Sequence, residues 1–454
     1  MTASTVLELI GNTPMIEVRN MDTGNCRLFL KLESQNPAGS IKDRIGLSMI
    51  NAAERDGQLK PGGTIVEATA GNTGLGLALV ASQKGYKLTL VVPDKMSREK
   101  IFHLKAMGTD VILTRSDVGK GHPEYYQDMA ERIARETGGF YVNQFGNPAN
   151  PLAHETTTGP EIWEQMDHQV DAVVCGVGSG GTITGLTRFF SKVSPKTEMV
   201  LADPVGSVLV DYVNTGKYGE AGSWIVEGIG EDFIPPIADL SGVRHAYSIS
   251  DEESCLTVRD LLLKEAVLAG SSSGTLIAAA LRYCREQKTP KRVVTFVCDS
   301  GNKYLSKVFN DYWLFDQGFL KREQHGDLRD LISRRHDERA VVTIAPDDRL
   351  MTAYARMKLY DVSQLPVLDE DGGVTGIIDE WDLLTAVQTD PAGFRNPVRS
   401  AMVERHPTGG LMPLFAEPVK TLNKGHVAVV VDQGKFYGLI TRIDVLNHLR
   451  NKAH

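Results

Sequence analysis

The sequence predicts an α/β protein, a mostly parallel sheet covered by helices on both faces, with a smaller module appended at its C-terminal end. Three observations carry this expectation. Up to about Leu320, short β-branched runs alternate with helical stretches, as a parallel sheet requires. Glycine-rich turns fall at the ends of the predicted strands, where open α/β sheets place their ligands. Beyond a charged stretch, two similar units follow, each closing with a strand, a glycine, an apolar pair, a polar residue and a helix.

In chain order, Lys42 to Ala53 reads as a helix, entered through the turn-forming Asn36-Pro37 and Gly39-Ser40. Thr64 to Ala68 reads as a strand, followed by a helix through Leu77 to Gln83. Leu88 to Val92 and Asp171 to Val177 are further strands, the second followed by a helix from about Thr182. Met199 to Ala202 and Val293 to Cys298 repeat the theme. Lys321 to Arg339 is dense in Arg, Asp, Glu and His and reads as a charged helical linker. The first C-terminal unit runs from Val341-Val342-Thr343-Ile344 through a helix around Ala353 to Lys358, Leu365 to Leu368 and Gly376 to Asp379, to a helix from Trp381. The second ends with His426 to Val431 and Gly438-Leu439-Ile440-Thr441-Arg442-Ile443-Asp444. The expected division is therefore residues 1–320, a linker over 321–335, and two repeats within 336–454, at about 336–390 and 397–454.

With 454 residues, 42% hydrophobic and 23% charged, the chain is long enough for several domains and ordinary for a globular protein. A net charge of -8 argues against a nucleic-acid partner. Cys26, Cys175, Cys255, Cys284 and Cys298 are scattered and form no CxxC, which argues for a reducing, cytoplasmic setting and against a zinc site. No basic, apolar leader opens the sequence and no run of about 18 apolar residues occurs, so neither a signal peptide nor a membrane span is expected.

Chemistry concentrates in a few segments. Lys42, in Asn36-Pro37-Ala38-Gly39-Ser40-Ile41-Lys42-Asp43-Arg44, sits where a turn would hold its amine near the mouth of a strand-to-helix junction. A desolvated amine loses its proton easily and condenses with aldehydes to a Schiff base. Alone, it reads more readily as a solvated lysine on a first helical turn. Gly176-Val177-Gly178-Ser179-Gly180-Gly181-Thr182 follows a strand and opens a helix, a cradle for phosphate. It also fits G-x-G-x-x-G with Asp203 downstream, which leaves a nicotinamide dehydrogenase open. Thr69-Ala70-Gly71-Asn72-Thr73-Gly74 is a second polar turn, suited to a carboxylate or to simple capping. Ser300, in Cys298-Asp299-Ser300-Gly301, is placed to cap a helix or to reach a ring nitrogen. A phosphate loop together with a Schiff-base lysine points to pyridoxal 5'-phosphate.

In order along the chain, Leu9-Ile10-Gly11-Asn12-Thr13-Pro14, the Lys42 segment, Gly71-Asn72-Thr73-Gly74, Asn150-Pro151-Leu152-Ala153-His154 and Gly178-Ser179-Gly180-Gly181-Thr182 resemble the pyridoxal-phosphate β-family of cysteine synthases and cystathionine β-synthases. The resemblance spans roughly Thr5 to Leu320 and implies a fold-type II enzyme of two open α/β subdomains. It implies Lys42 as the internal aldimine, Gly178, Ser179, Gly180, Gly181 and Thr182 as the phosphate loop, Asn72 beside the phenolic oxygen and Ser300 at the pyridine nitrogen. Thr69, Ala70, Gly71, Thr73 and Gln144 would grip the substrate carboxylate. Many members carry serine where this chain has Ala70. A neutral serine at the ring nitrogen suits β-elimination and β-replacement better than an acid would.

Glu227-Gly228-Ile229-Gly230-Glu231-Asp232-Phe233-Ile234-Pro235 is similar to the cystathionine β-synthase form of this segment, which places Gly228, Glu231 and Asp232 at the substrate, the two acids toward the ammonium of homocysteine. The C-terminal repeats resemble paired CBS domains, with Thr441 and Asp444 matching adenosine-contacting positions, and Asp379 standing where the first repeat would need a threonine. The resemblance thus implies a pyridoxal-phosphate lyase joining L-serine and L-homocysteine, with hydrogen sulfide released when cysteine replaces serine. An O-acetylserine-dependent enzyme with an appended module is the alternative. No segment before Thr5 matches the haem-binding part of animal members, so no haem is expected, and a homodimer or homotetramer is.

Overall fold

The computed structural model describes residues 2–69, 71–388, 391–404, 422 and 427–453. The chain forms two compact units, Met1–Asn310 and Asp311–His454. The first contains two sheets, in keeping with the two open α/β subdomains that the resemblance implies. Its strands are β1 (Met15–Glu17), β2 (Arg27–Lys31), β3 (Thr64–Ala68), β4 (Lys87–Pro93), β5 (Asp110–Thr114), β6 (Phe140–Tyr141), β7 (Ala172–Gly176), β8 (Glu198–Pro204), β9 (Val243–Ile249) and β10 (Arg292–Phe296). A six-stranded sheet has the order β1-β2-β10-β7-β8-β9 and a four-stranded sheet the order β5-β4-β3-β6. Only the β1–β2 pairing is antiparallel, with Ile16 opposite Leu30; the others are parallel.

Every strand read from the sequence in this unit is present, because each is a mostly apolar run buried on both faces. Val173, Val174 and Cys175 of β7 and Val200, Leu201 and Ala202 of β8 have no solvent exposure, as expected where helices cover a parallel sheet. The edge strand β9 carries Arg244, His245 and Ser248, and this polar dress hid it.

Two features fix the helix that Lys42 begins, Lys42–Arg55. The first is its crossing with the Asn72–Lys84 helix. A Cβ on Gly76 would lie 2.7 Å from the Lys42 carbonyl oxygen, so glycine lets the two backbones touch at the residue that matters. The second is a buried ion network. The Arg44 guanidinium donates to Glu33 at 2.7 Å and to Glu161 at 2.7 Å, and the Lys31 ammonium reaches Glu161 at 2.7 Å. Thr13 closes it, its hydroxyl donating to Glu33 and its carbonyl accepting from Lys31.

The second unit holds two antiparallel pairs, β11 (Gln364–Leu368) with β12 (Val374–Asp379) and β13 (Ala428–Asp432) with β14 (Lys435–Ile440). Helices Leu350–Tyr360, Glu380–Val387 and Arg442–Ala453 accompany them. Asp379 caps the Glu380–Val387 helix in a reciprocal box with Asp382. Val341 to Ile344, expected as a strand, makes only a single bridge, Ile344 to Val367. The segment read as a helical linker is not helical beyond the short turn Leu328–Leu331. Leu331 and Ile332 are buried with Val430 and Ile440, and Arg335 bridges Gly438. Apart from the buried Arg335, the charges of this strap are half-buried or exposed, and its few apolar residues complete the core of the second repeat.

Among the described residues, no helix is long and apolar enough to cross a membrane.

Candidate active site

A cavity of about 230 Å³ opens at the C-terminal ends of the parallel strands, between the two sheets of the first unit. It gathers Lys42, Thr69, Asn72, Thr73, Gln144, Gly178, Ser179, Gly180, Thr182, Gly228, Glu231 and Asp232. Segments far apart in sequence, from Lys42 to Cys298, thus meet where α/β sheets bind ligands. Ala70 lies outside the described residues.

Lys42 stands half-buried on one wall. Burial lowers its pKa, more than Cys298, Glu231 and Asp299 raise it. A lysine so placed spends more time as the neutral amine, the form that attacks a carbonyl. On the opposite wall, β7 ends in the loop Gly176 to Thr182, which begins the Gly181–Val193 helix. The first intrahelical bond runs from the Thr184 amide to the Gly180 carbonyl at 3.1 Å, so the amides before it face the helix's positive end. With the Ser179 and Thr182 hydroxyls they form a donor set suited to a phosphate. The amine on one wall and these donors on the other fit an aldehyde-bearing phosphate ester. Asp203, the downstream acid of the dinucleotide pattern, accepts instead from the Val210 amide at 3.3 Å and caps the Leu209–Thr215 helix. One of its oxygens is used locally, which counts against the nicotinamide reading.

The Thr69 turn lies at the end of β3. The Thr69 hydroxyl accepts from the amides of Gly71 (3.0 Å) and Gly74 (3.3 Å). Thr73 donates to the Gln144 side-chain oxygen at 2.7 Å. The Gln144 amide nitrogen donates to the Ala68 carbonyl at 2.9 Å and to Glu67 at 3.3 Å. Glu67 is wholly buried, its second oxygen has no partner, and burial pushes its pKa up to about 8. It is neutral across most of the physiological range, and it backs Gln144 without adding a charge that would repel a carboxylate.

Asn72 reaches the cavity but is also tied behind it. Its amide nitrogen donates to Asp299 at 2.7 Å and its oxygen accepts from Lys303 at 3.1 Å. Asp299 accepts from the Tyr304 hydroxyl at 2.7 Å, Tyr304 from Lys100 at 2.7 Å, and Lys100 pairs with the buried Glu227 at 2.8 Å. The chain thus runs from the four-stranded-sheet side to the six-stranded-sheet side and returns.

Ser300 is the correction. Its hydroxyl caps the short turn Gly301–Lys303 by accepting from the Asn302 amide, and it does not line the cavity. Ser272, on the first turn of the Ser271–Glu286 helix, does line it. Of its neighbours, Ser271 accepts from the Glu227 amide and Ser273 from the Cys298 amide. Gly270-Ser271-Ser272-Ser273-Gly274 is itself a glycine-bounded helix start, the signal by which the sequence could have revealed it.

Glu231 lines the cavity and Asp232 stands exposed at its edge. Burial, and then the adjacent Asp232, hold the Glu231 carboxyl well above its ordinary range. An incoming ammonium would draw it back to the carboxylate, which is a selective response to cations. Tyr125, Tyr126 and Phe145 complete the apolar rim. In the second unit, Asp444 is buried and accepts from the Thr441 amide at 2.6 Å and from its hydroxyl. Asp444 also lines a cavity of about 730 Å³ with Arg322 and Arg335. Among the described residues, no cluster of His, Cys, Asp and Glu could hold a metal ion.

Residues 6–299 match the family described as pyridoxal-phosphate dependent enzyme, and residues 329–389 match the CBS domain. The chain belongs to the pyridoxal-phosphate dependent enzymes and joins that catalytic part to a C-terminal CBS domain. Its counterparts along nearly the whole length are cystathionine β-synthases. That of Dictyostelium discoideum is 34% identical over 98% of this chain and 92% of its own. Cysteine synthase A of Salmonella typhi is 43% identical, over 69% of this chain and 96% of its own. The solved O-acetylserine dependent cystathionine β-synthase of Helicobacter pylori has 36% identity and a TM-score of 0.63, over 68% of this chain and 98% of that one. Cysteine synthase A and the Helicobacter pylori enzyme match about two thirds of this chain, whereas the Dictyostelium β-synthase matches nearly all of it.

Glu67 gives a testable pH dependence. An acid whose pKa is about 8 when folded and 4.5 otherwise stabilises the fold fully below the lower value and loses that contribution as pH rises toward the upper one. Glu67→Gln removes the titration. Urea unfolding at pH 5 and pH 8 should show the variant gaining on the parent at the higher pH. An unchanged difference would mean that Glu67 does not carry the proton.

Proposed function

We propose that the protein makes L-cystathionine from L-serine and L-homocysteine, with pyridoxal 5'-phosphate held by Lys42. The observation that carries this is the desolvated Lys42 amine facing a loop of phosphate donors across a single cavity, in a chain whose full-length counterparts are cystathionine β-synthases. Bound there, the cofactor supplies an electron sink that lets a Cα proton and a β-substituent leave.

The chain's own residues then have distinct tasks. The Gly178 to Thr182 loop holds the phosphate and Ser272 offers its hydroxyl to the ring nitrogen, in the role first expected of Ser300. This bond leaves the ring uncharged, which suits β-replacement. Thr69, Gly71, Thr73 and Gln144 hold the substrate carboxylate, and Asn72 stands by the ring oxygen. Lys42 would serve as the base for the Cα proton and would return it to the leaving hydroxide. Glu231 and Asp232 meet the ammonium of the incoming thiol substrate. Cysteine in place of serine would release sulfide by the same steps. The acids near the thiol entry favour homocysteine over sulfide as acceptor, and they say nothing against O-acetylserine as donor.

The purified protein should be yellow, absorbing near ~410–420 nm. Lys42→Ala should lose turnover of serine with homocysteine by about a thousandfold or more. Full activity in that variant would refute the mechanism. Adding serine and O-acetylserine separately to the parent enzyme, and following the visible band, identifies the donor by which one shifts it.

Replacing Glu231 and Asp232 together by Ala should raise the homocysteine KM roughly tenfold or more while leaving the sulfide KM near its original value, since a charge-assisted contact contributes about 1.5–3 kcal/mol. Equal effects on both acceptors would remove the ammonium role.

For the second unit we infer an adenosyl ligand bound beside Thr441 and Asp444, supported by the cavity that Asp444 shares with Arg322 and Arg335, in a unit whose first repeat lies within the CBS-domain match over residues 329–389. Calorimetry with S-adenosylmethionine, AMP and ATP should give heat for one of them, abolished by Asp444→Ala. No heat for any would leave the unit with an assembly role.

A further inference from the structure

The sequence motif Asn150-Pro151-Leu152-Ala153-His154 has no task in the mechanism above, and yet its two polar side chains are among the most deeply buried in the molecule. Asn150 is 1% exposed and His154 is 0% exposed. They are four residues apart, Asn150 in the Ala149–Ala153 helix and His154 opening the π-helical turn His154–Thr158 that follows it, so they lie on one face. That face is turned to the loop that carries Ser179 and Thr182.

The bond directions can be worked out. The Asn150 amide nitrogen lies 2.8 Å from the Gln144 carbonyl oxygen, which only accepts, and this fixes which end of the amide is nitrogen. The same nitrogen lies 2.9 Å from the Ser179 hydroxyl, which must therefore accept from it. A hydroxyl that accepts from behind keeps its own hydrogen to give elsewhere, and Ser179 lines the cavity. His154 does the same for Thr182. Burial holds its ring well below the ordinary pKa, so it is neutral with one proton. Nδ1 is 3.0 Å from the Thr158 hydroxyl and Nε2 is 3.2 Å from the Thr182 hydroxyl. Thr158 is fully buried, and its hydroxyl finds an acceptor in Nδ1. The ring proton then sits on Nε2 and points to Thr182, whose hydrogen is left for the cavity. The fit is close: a Cβ on Gly181 would fall 1.8 Å from the Asn150 side-chain oxygen, so the loop residue between the two hydroxyls has no room for a side chain.

We propose that Asn150 and His154 are positioning residues that orient the Ser179 and Thr182 hydroxyls as hydrogen-bond donors to the cofactor's phosphate. The proposal rests on the reading of Gly178 to Thr182 as the phosphate loop. It differs from a merely structural role because its effect must appear only with ligands that carry the phosphate, and must pass through the two hydroxyls.

The test uses the full chain stripped of cofactor and titrated with pyridoxal phosphate and with pyridoxal, following the visible band. Asn150→Ala and His154→Phe should each weaken pyridoxal phosphate about tenfold and leave pyridoxal unchanged. His154→Gln, which can still place an N–H near Thr182, should recover most of the loss. In a Ser179→Ala background, Asn150→Ala should add nothing, and in a Thr182→Val background His154→Phe should add nothing. Equal losses for both aldehydes, or full additivity with the hydroxyl variants, would overturn the proposal. If Asn150→Ala does not fold, the His154 series decides alone. If Ser179→Ala and Thr182→Val themselves bind both aldehydes like the parent, the phosphate-loop reading has failed, and the proposal with it. Hydroxyl variants that lose phosphate affinity, beside Asn150 and His154 variants that do not, would reject the positioning role only.

Discussion

The placement of Lys42 depends above all on Arg44. Two residues into the same helix, this guanidinium is buried and gripped by Glu33 and Glu161, with Lys31 sharing the second carboxylate. The partners come from the end of β2, the turn after it and the Gly159–Gln165 helix. Burial works against all of these charges, and the two carboxylates offset it for Arg44, whose pKa lies above its ordinary value. Removing one partner from such a group leaves an uncompensated charge and typically costs about 3–5 kcal/mol. The network therefore specifies one position for the helix start, and so for the amine, better than apolar packing would.

The chemistry of the cavity follows from the low polarity that this packing creates. The same burial lowers the Lys42 pKa and raises those of Glu67 and Glu231. All three shifts favour neutral groups, so the cavity presents hydrogen-bond donors and latent charges to a ligand that brings its own phosphate and carboxylate. Where buried charge is kept in the lining it is paired, as between Lys100 and Glu227 at 2.8 Å.

Much of the fold was legible because buried parallel strands read as continuous apolar runs and because the ligand turns carry glycine at strand ends. What escaped notice did so for physical reasons. The edge strand β9 is polar because solvent lies beside it. The strap 321–335 looks like a linker because most of its side chains are charged, whereas its structural role rests on Leu331 and Ile332. The separation into two sheets leaves no local mark, since each strand obeys the same rule in either. Ser272 escaped notice because serine beside glycine at a helix start occurs there and at Ser300 alike. Only the tertiary fold shows that Ser271 and Ser273 are engaged with backbone amides while Ser272 faces the cavity.

The cavity's walls belong to different sheets, with Thr69, Thr73 and Gln144 beside the four-stranded one and Ser179, Thr182 and Ser272 beside the six-stranded one. A ligand that touches both walls acts as a cross-brace. Its binding free energy adds to the work of parting the sheets, and stability rises with ligand concentration as mass action requires. The converse also holds. Whatever departs must first loosen that brace, so the rate at which product escapes is tied to the stiffness of the scaffold as well as to contacts in the pocket.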